Sequence, residues 1–268
     1  KIGHGGTLDP FANGVLPICF GRATKFMQYL IDGKKLYRAK IHLGIVTDSF
    51  DSLGKVIREE NPSMISKQDF VDTIGKFVGI IYQIPPMFSA LKINGQRLYQ
   101  LARLGEEVER SPREVTVYRI ELIDWNPPEI SLEIECGRGV YIRSLAYDLG
   151  ETLGCGAFLE ELTRLRAGPF CIEDSTTPEE LETLGFHGEW KQRLFPPDVI
   201  LNDVKQAVIS SEMETFLRHG RKVSLGNPSV FEAVHGEMCR VYNSEGEFLG
   251  IVNFDSSDQL WQPKLVLG

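Results

Sequence analysis

Paired cysteines, long apolar runs and an N-terminal signal pattern are all missing from this sequence. Its five cysteines are scattered over 268 residues: Cys19, Cys136, Cys155, Cys171 and Cys239. Their odd number and the absence of any Cys-x-x-Cys pair exclude a disulfide framework and a zinc site of the usual spacing. No apolar run approaches the roughly 18 residues that a membrane helix needs. We therefore expect no membrane association and a reducing compartment, the cytoplasm.

A net positive charge is missing as well. The formal charge at pH 7 is −8, which argues against a non-specific nucleic-acid binder. The acidic residues are unevenly distributed, however. Residues 1–60 hold nine Lys and Arg against six Asp and Glu, whereas residues 171–268 hold eight against sixteen. The N-terminal half could therefore still bind a polyanion such as a nucleic acid.

Several standard catalytic motifs do not occur. The sequence has no Gly-x-x-x-x-Gly-Lys-[Ser/Thr] phosphate loop, no Gly-x-Ser-x-Gly elbow and no strand-anchored Gly-x-Gly-x-x-Gly turn. The five histidines never fall three or four residues apart, so a helical pair of metal ligands is excluded. Carboxylate, arginine and tyrosine side chains remain as candidates for chemistry.

Hydrophobic periodicity predicts an α+β protein. Alternating apolar residues mark strands, and apolar residues three or four apart mark helices. We expect helices over 22–32, from Ser66 (capped with Asp69), from Ile142 to the break at Gly154–Gly156, through Leu159, Leu162 and Leu165, and a short one from about residue 205. Strands are expected over 15–20, 37–43, 55–57, 115–125, 130–136, 239–242 and 248–254. Residues 171–204 are acidic and weakly patterned, which favours a surface connector. The mainly antiparallel links favour the α+β class.

Residues 85–113 differ from the regular elements around them. The segment opens with two prolines and carries five basic side chains among apolar ones: Lys92, Arg97, Arg103, Arg110 and Arg113. Its length and charge are typical of a binding loop. From the spacing alone, the alternative is a short helix with a solvated charged face.

The densest cluster of glycine and chemically active residues lies at Gly3–Gly14. Glycines on both sides of His4, ahead of Asp9, allow the backbone to approach a ligand closely. Structural interpretations remain open for both residues. Asp9 followed by Pro10 also fits a helix start, with Asp9 as the N-cap, and His4 fits an ordinary turn residue.

Seven short motifs follow one another along residues 1–170. They are Gly3-His4-Gly5-Gly6-Thr7-Leu8-Asp9-Pro10, Gly14-Val15-Leu16-Pro17, Lys35-Leu36-Tyr37-Arg38-Ala39, Gly44-Ile45-Val46-Thr47-Asp48, Pro85-Pro86-Met87-Phe88-Ser89-Ala90, Gly139-Val140-Tyr141-Ile142-Arg143-Ser144 and Gly154-Cys155-Gly156-Ala157. In this order they resemble the TruB family of tRNA pseudouridine-55 synthases. Beyond about residue 200 the sequence is more loosely similar to the PUA-like module that ends these enzymes.

The resemblance implies an architecture and a function. The architecture is a pseudouridine synthase-like catalytic domain over 1–202, on a mixed, mainly antiparallel sheet with the RNA-binding insertion at 85–113, and a PUA-like RNA-binding module over 203–268. The family's opening strand, which precedes the equivalent of Lys1, is expected to be missing from this chain. The function is isomerisation of uridine to pseudouridine at position 55 in the T-loop of tRNA. The implied protein is a cytoplasmic monomer that binds the T-arm stem-loop and uses no metal and no organic cofactor.

The resemblance also implies the roles of individual residues. The catalytic residues would be Asp9, Arg143 and Tyr37, and the substrate-binding residues would be His4, Tyr141, Leu162, Lys92, Arg97 and Arg103. The chemistry agrees with these residue types. A carboxylate can act as a nucleophile or abstract a ribose proton without a cofactor, and an arginine keeps it ionised and oriented. An aromatic ring replaces the stacking that a flipped base loses.

Two other classes of function fit parts of the sequence. An inactive RNA-binding or RNA-folding protein would need the basic segment but no chemistry, and joint retention of Asp9, Arg143 and Tyr37 argues against it. A glycoside hydrolase would need a second carboxylate about 5–9.5 Å from the first. Asp48 and Asp51 are candidates for that second carboxylate, but they lie in a predicted turn with no evident proximity to Asp9.

Overall fold

A computed structural model of the chain describes residues 1–89, 91–93, 95–225 and 233–267. Its strands are β1 (Ile2–His4), β2 (Asn13–Gly14), β3 (Ile18–Phe20), β4 (Lys35–Leu43), β5 (Ile45–Thr47), β6 (Val56–Glu59), β7 (Gly79–Gln83), β8 (Lys92–Ile93), β9 (Gln96–Arg97), β10 (Arg113–Asn126), β11 (Glu129–Cys136), β12 (Ala157–Ala167), β13 (Phe170–Cys171), β14 (Lys205–Val208), β15 (Met238–Tyr242), β16 (Phe248–Asp255) and β17 (Leu260–Val266). Its α-helices are α1 (Met27–Asp32), α2 (Lys67–Gly75), α3 (Leu98–Arg103), α4 (Ile142–Leu153), α5 (Pro178–His187) and α6 (Ser211–Arg218). Short 3-10 helices lie at Gly21–Phe26, Pro62–Met64, Ile172–Asp174, Glu189–Arg193 and Pro197–Leu201.

The described residues pack as two compact units. The larger unit holds residues 4–17 and 30–175, and the smaller unit holds 1–3, 18–29 and the described part of 176–268. Residues 18–29 and 176–202 therefore pack with the C-terminal strands, whereas the predicted domain boundary lies at residue 202. The division into functional domains stays a prediction.

The larger unit is built on a mixed, mainly antiparallel sheet, as predicted. Its strands lie in the order β13-β12-β4-β11-β10-β7, and the short β2 pairs with β12 in parallel. The apolar side chains that alternate along β4, such as Ala39 and Ile41, are fully buried. Helix α4 packs Leu145 and Leu149 into the same core. The α+β class is therefore confirmed, and α4 is held firmly against one face of the sheet.

One predicted helix is wrong. Leu159 and Leu162 do not lie on a helix but on β12, which pairs with β4 near the centre of the sheet. The register shifts between Leu159 and Glu161, and again between Arg164 and Arg166. Each bulge adds one residue to the strand, so residues three apart face the same side, and the pattern imitates a helical period.

Two local predictions are confirmed and one is incomplete. Helix α2 begins with the expected capping box between Ser66 and Asp69, and β10 and β11 form the expected antiparallel pair. The expected connector over 171–204 is largely exposed but contains α5. That helix starts with a capping box of Thr177 and Glu180 around Pro178, a signal that the weak hydrophobic pattern obscured.

The smaller unit contains the β-rich C-terminal segment that the sequence predicts. Its sheet has the order β14-β15-β16-β17, with β14 parallel to β15 and the other neighbours antiparallel. Leu217 of α6 and Trp261 of β17 are buried in its core. Within the described ranges, no helix has the length and apolar character that a membrane crossing requires.

Candidate active site

The glycine-rich segment forms an irregular loop that presents Asp9. Residues 9–12 make a turn in which the Ala12 amide donates to the Asp9 carbonyl oxygen at 2.9 Å, and no helix follows Pro10. The interpretation of Asp9 as a helix N-cap is therefore wrong. Its side chain is available for another partner.

That partner is Arg143, in the first turn of α4. Its Nε donates to Asp9 Oδ2 and its Nη2 to Asp9 Oδ1, both at 2.9 Å. A bidentate pair of this kind fixes the plane of the carboxylate as well as its position. The Arg143 side chain is 3% exposed and that of Asp9 is 30% exposed. The structure thus brings together two residues 134 positions apart and leaves the carboxylate open to a substrate.

A second carboxylate, from Asp51, holds the other side of the guanidinium. Arg143 Nη1 donates to Asp51 Oδ2 at 3.1 Å, and the Asp51 side chain is only 5% exposed. From the sequence, Asp51 was a candidate only as a second carboxylate, with no sign that it lies near Asp9. The only sequence signal for its role is an acidic residue in the turn that follows a predicted strand. We refer to Asp9, Arg143 and Asp51 as the charged cluster.

The loop that carries Asp51 is held in a strained conformation. Ser49 Oγ donates to Asp51 Oδ1 at 2.6 Å, and the Leu53 amide donates to the same oxygen at 3.1 Å. Between them Phe50 has a φ of 64°, which is costly for a large side chain. Phe50 stacks on Tyr147 of α4 with ring centroids 4.1 Å apart. These contacts fix Asp51 against Arg143.

Burial is the main electrostatic influence on Asp9 and raises the pKa of its carboxyl above the ordinary value of 3.8. Arg143 opposes this shift through its charge and its hydrogen bonds, whereas the charge of Asp51 adds to it. A carboxylate with a raised pKa is a better base and nucleophile than an exposed aspartate. The cluster therefore combines an oriented oxygen with increased reactivity.

The structure places the other predicted site residues in different surroundings. Tyr37 is half-buried on β4, and the negative charge of Asp9 adds to the effect of burial in raising its pKa. Tyr141 lies two residues before Arg143, and its amide donates to Gln83 Oε1 at 3.0 Å. Leu162 is buried in the core opposite Ala39. His4 is exposed at the end of β1, and among the described residues no hydrogen bond or ion pair joins it to Asp9.

The basic segment 85–113 begins directly at the charged cluster. The Phe88 carbonyl oxygen accepts a hydrogen bond from Arg143 Nη2 at 2.9 Å. The short-helix alternative is correct for α3, whose Leu98 and Leu101 are buried. The three basic residues proposed to bind RNA are all exposed: Lys92, Arg97 and Arg103. Arg110 has another role, because its Nη1 donates to the Pro85 carbonyl oxygen at 3.0 Å and so closes the base of the segment.

One group of described residues has ligand atoms close enough together to hold a metal ion. The atoms belong to His42, Glu129 and Glu160 and lie within 4.8 Å of one another. Lys40 Nζ lies 2.6 Å from Glu129 Oε2 and 3.4 Å from Glu160 Oε2, so an ammonium group already offsets their charge. Because side chains alternate along a strand, Lys40 and His42 project from the opposite face of β4 to Tyr37. This group is separate from the charged cluster.

Two solved structures share this fold. A Cbf5-Nop10-Gar1 complex matches with a TM-score of 0.72 and 23% identity, covering 100% of this chain and 76% of the matched chain. An H/ACA RNP bound to a substrate RNA containing 2'-deoxyuridine matches with a TM-score of 0.73 and 21% identity, with the same coverage. At this identity the likeness establishes the fold.

Sequence relatives give a narrower result. A protein described as tRNA pseudouridine synthase B from Clostridium perfringens strain SM101 is 42% identical over 254 residues, which is 94% of this chain and 84% of the relative. One of the same description from Pseudomonas fluorescens strain Pf0-1 is 42% identical over 269 residues, or 99% and 86%. The family model for the N-terminal domain of TruB family pseudouridylate synthases matches residues 1–142, and the tRNA pseudouridylate synthase B C-terminal domain model matches 143–206.

The fold, the charged cluster and these matches define an enzyme of the pseudouridine synthase class, an isomerase that acts on RNA. The chain belongs to the TruB family of pseudouridylate synthases.

Proposed function

We propose that this protein isomerises uridine to pseudouridine at position 55 in the T-loop of tRNA, with Asp9 as the catalytic carboxylate. The observation that carries the proposal is the bidentate Arg143–Asp9 pair, in which the arginine is buried and the aspartate is partly exposed. The reaction breaks the glycosidic bond to N1, turns the base and rejoins it through C5, after which C5 loses its proton and N1 gains one. A buried guanidinium holds the attacking carboxylate in one orientation throughout these steps.

The remaining residues of the site fit the handling of a flipped base. Tyr37 supplies an aromatic face on which the uracil ring stacks, which is worth about 1–3 kcal/mol for a base in a protein site. His4, at the edge of the glycine loop, contacts the flipped nucleotide. Tyr141 and Leu162 line the pocket. No step in this scheme uses a metal or an organic cofactor.

Affinity for the T-arm stem-loop comes from outside the charged cluster. Lys92, Arg97 and Arg103 are exposed on the basic segment 85–113 and contact phosphates, with the segment closing on the RNA as a lid. The PUA-like module over 203–268 adds a second RNA contact to the catalytic domain over 1–202. The enzyme acts as a cytoplasmic monomer.

Substitution of Asp9 by Asn tests the proposal. Asn keeps the shape of the side chain but has neither the negative charge nor the nucleophilic oxygen. We expect single-turnover pseudouridine formation in a T-arm RNA to fall by several orders of magnitude, while the Kd for the RNA stays close to that of the parent. Asp51 still pairs with Arg143 in the variant, so the guanidinium keeps a compensating charge and the protein should fold.

Asp72→Asn is the matched control. Asp72 is exposed on α2, where it accepts a hydrogen bond from Gln68 Nε2 at 2.9 Å, and its substitution should leave turnover unchanged. Asp9→Asn activity within a factor of about ten of the parent, a barrier change of only about 1.4 kcal/mol, would show that Asp9 is not the catalytic carboxylate. A parent protein that forms no pseudouridine in any tRNA would refute the function as a whole.

A further inference from the structure

Arg164 is a buried cation that the proposed reaction does not use. Its side chain is among the largest fully buried ones, with 1% exposure, on β12. No carboxylate within the described ranges lies at ion-pair distance from its guanidinium, in contrast to Arg143. Burial of a charged group without an ionic partner is costly, so the hydrogen bonds that compensate it show what the residue holds.

Two hydrogen bonds from Arg164 hold the two ends of the loop over residues 6–15, which we call the Asp9 loop. Arg164 Nε donates to the Val15 carbonyl oxygen at 2.6 Å, and Nη2 donates to the Gly6 carbonyl oxygen at 3.1 Å. Asp9 lies between these anchors in the chain. One rigid guanidinium therefore fixes both ends of the segment that presents the catalytic carboxylate.

The backbone of Arg164 reinforces this attachment. The Val15 amide donates to the Arg164 carbonyl oxygen at 2.9 Å. At Gly14, which has a φ of 101°, an added Cβ would lie 2.3 Å from that same oxygen. Only glycine permits this close approach, so the end of the loop is pressed directly against the strand at Arg164.

Arg164 also reaches Tyr37. The two residues are cross-strand partners in the pairing of β12 with β4, so their side chains lie side by side on one face of the sheet. The positive charge of Arg164 opposes the rise that burial causes in the pKa of the Tyr37 hydroxyl. The ring proposed to stack on the base and the loop proposed to attack it therefore both lie against this one side chain.

We propose that Arg164 is a positioning residue of the reaction, which fixes the Asp9 loop and the Tyr37 ring relative to each other. The inference rests on the proposed function. It assigns to Arg164 no contact with the reacting atoms. Displacement of a reacting group by about 1 Å costs on the order of 100-fold in rate, so an anchor shared by the carboxylate and the ring controls turnover rather than RNA affinity.

The planar shape of the guanidinium is essential to this role. Arginine offers five donors in a fixed arrangement, and here they reach the Val15 and Gly6 carbonyl groups at once. Lysine offers a compact ammonium on a flexible stem. Arg164→Lys keeps the positive charge but loses the planar arrangement of donors. Arg164→Ala removes both and leaves space that a free guanidinium ion can occupy.

The test compares these variants with changes at Arg166, two residues along the same strand. Arg166 is partly exposed and pairs with Glu135, so Arg166→Lys and Arg166→Ala are matched controls. For Arg164→Lys we expect the single-turnover rate at saturating T-arm RNA to fall about 100-fold. The Kd for that RNA should change by less than about threefold, since phosphate contacts lie elsewhere.

Two further measurements separate positioning from simple stabilisation. Guanidinium chloride at low millimolar concentration should restore part of the rate of Arg164→Ala and leave Arg166→Ala unaffected. The effects of Arg164→Lys and Tyr37→Phe on the rate should be strongly non-additive in the double variant, because residues that act through one contact are coupled. A decrease in stability alone would produce neither result.

Three outcomes overturn the proposal. One is a folded Arg164→Lys protein with a rate within about threefold of the parent, a barrier change below about 1 kcal/mol. Another is an additive effect with Tyr37→Phe together with no rescue by guanidinium. The third is failure of both Arg164 variants to fold while the Arg166 variants fold, which would assign Arg164 to the fold alone. A parent without pseudouridine synthase activity would instead refute the proposed function, leaving Arg164 no reaction to position.

Discussion

Asp9 and Asp51 share one guanidinium, so the charged cluster carries two negative charges against one positive charge. Asp51 lies almost fully buried, with Ser49 and a backbone amide on one oxygen and Arg143 on the other. Its negative charge raises the pKa of Asp9. Asp51 thus acts in two ways: it fixes Arg143 in place, and it makes the Asp9 carboxylate more basic.

Asp51→Asn should lower the rate and shift its pH dependence. With the Asp51 charge gone, the pKa of Asp9 falls, so the acid limb of the single-turnover rate should move to lower pH. The maximal rate should also fall, because Arg143 no longer has a second fixed partner. The variant should also be less stable. Removal of one member of a buried ion pair costs about 3–5 kcal/mol of unfolding free energy, and we expect a smaller loss because Arg143 keeps Asp9 as a partner.

Asp48→Asn is the control for this pH profile. Asp48 lies in the same loop but is exposed, and its Oδ1 accepts a hydrogen bond from the Lys55 amide at 2.9 Å. Its substitution should leave the acid limb in place. An acid limb that moves to higher pH in Asp51→Asn, or not at all, would contradict the electrostatic coupling between the two aspartates.

At the scale of the element, helix α4 carries Asp148 as well as Arg143, and the pKa of the Asp148 carboxyl is raised, like that of Asp9. Burial, with a contribution from the Glu151 charge, raises the pKa of Asp148 from 3.8 to about 6. A raised pKa means that the folded state favours the protonated form. The associated stability is fully present below the unfolded pKa near 3.8 and is lost as the pH rises through about 6.

Asp148→Asn should therefore stabilise the protein in a pH-dependent way. The amide mimics the protonated acid, so the melting temperature should rise at about pH 8 and change little at about pH 4. Thermal unfolding followed by circular dichroism at both values measures this. Asp124→Asn, at an exposed position on β10, is the control. Equal effects of Asp148→Asn at the two pH values would contradict the raised pKa of this carboxyl.

The basic segment 85–113 allows a test of RNA binding at the same scale. A triple variant with Gln at Lys92, Arg97 and Arg103 should weaken RNA binding and make the dependence of log Kd on log salt shallower, by about one unit for each phosphate that the variant no longer binds. Titrations at several salt concentrations give this slope. A triple variant with Gln at the exposed Lys55, Lys67 and Lys76 should change it less. An unchanged slope in the first variant would remove the segment from the RNA interface.

At the scale of the whole molecule, an N-terminal segment folds as part of the C-terminal unit. Phe26 is fully buried in a cluster with Leu201 and Ile251, and its ring centroid lies 5.6 Å from that of Phe248. A chain that ends at residue 202 lacks Phe248 and Ile251. We infer that the smaller unit cannot be removed by a simple C-terminal truncation without exposing Phe26.

Truncation after residue 202 should lower stability as well as RNA affinity. Residues 18–29 should lose amide protection in hydrogen exchange, because their apolar cover has gone. Phe26→Ala in the full chain should cost about 3–5 kcal/mol of unfolding free energy in chemical denaturation. Phe20→Ala, at an exposed position in the same segment, should cost far less. A truncated chain with full protection of 18–29 would contradict this organisation.

The sequence by itself determined the features that depend on neighbouring residues. Alternation along β4 and along the β10–β11 pair, and the capping box of α2, arise from contacts within a few residues or across one turn. The motif order along residues 1–170 likewise indicated the family. In each case the signal lies in the local chain, where side-chain direction follows directly from backbone geometry.

Only the tertiary structure decided the features that depend on distant partners. Pairing with β4 makes β12 a strand, and two bulges accommodate its helical spacing. Asp51 reaches Arg143 across 92 positions. Arg164 anchors the Asp9 loop from 149 residues away, and Phe26 is covered by strands at the other end of the chain. None of these contacts can be predicted from the spacing of neighbouring residues, because strand register, backbone strain and burial are set by the element that packs opposite.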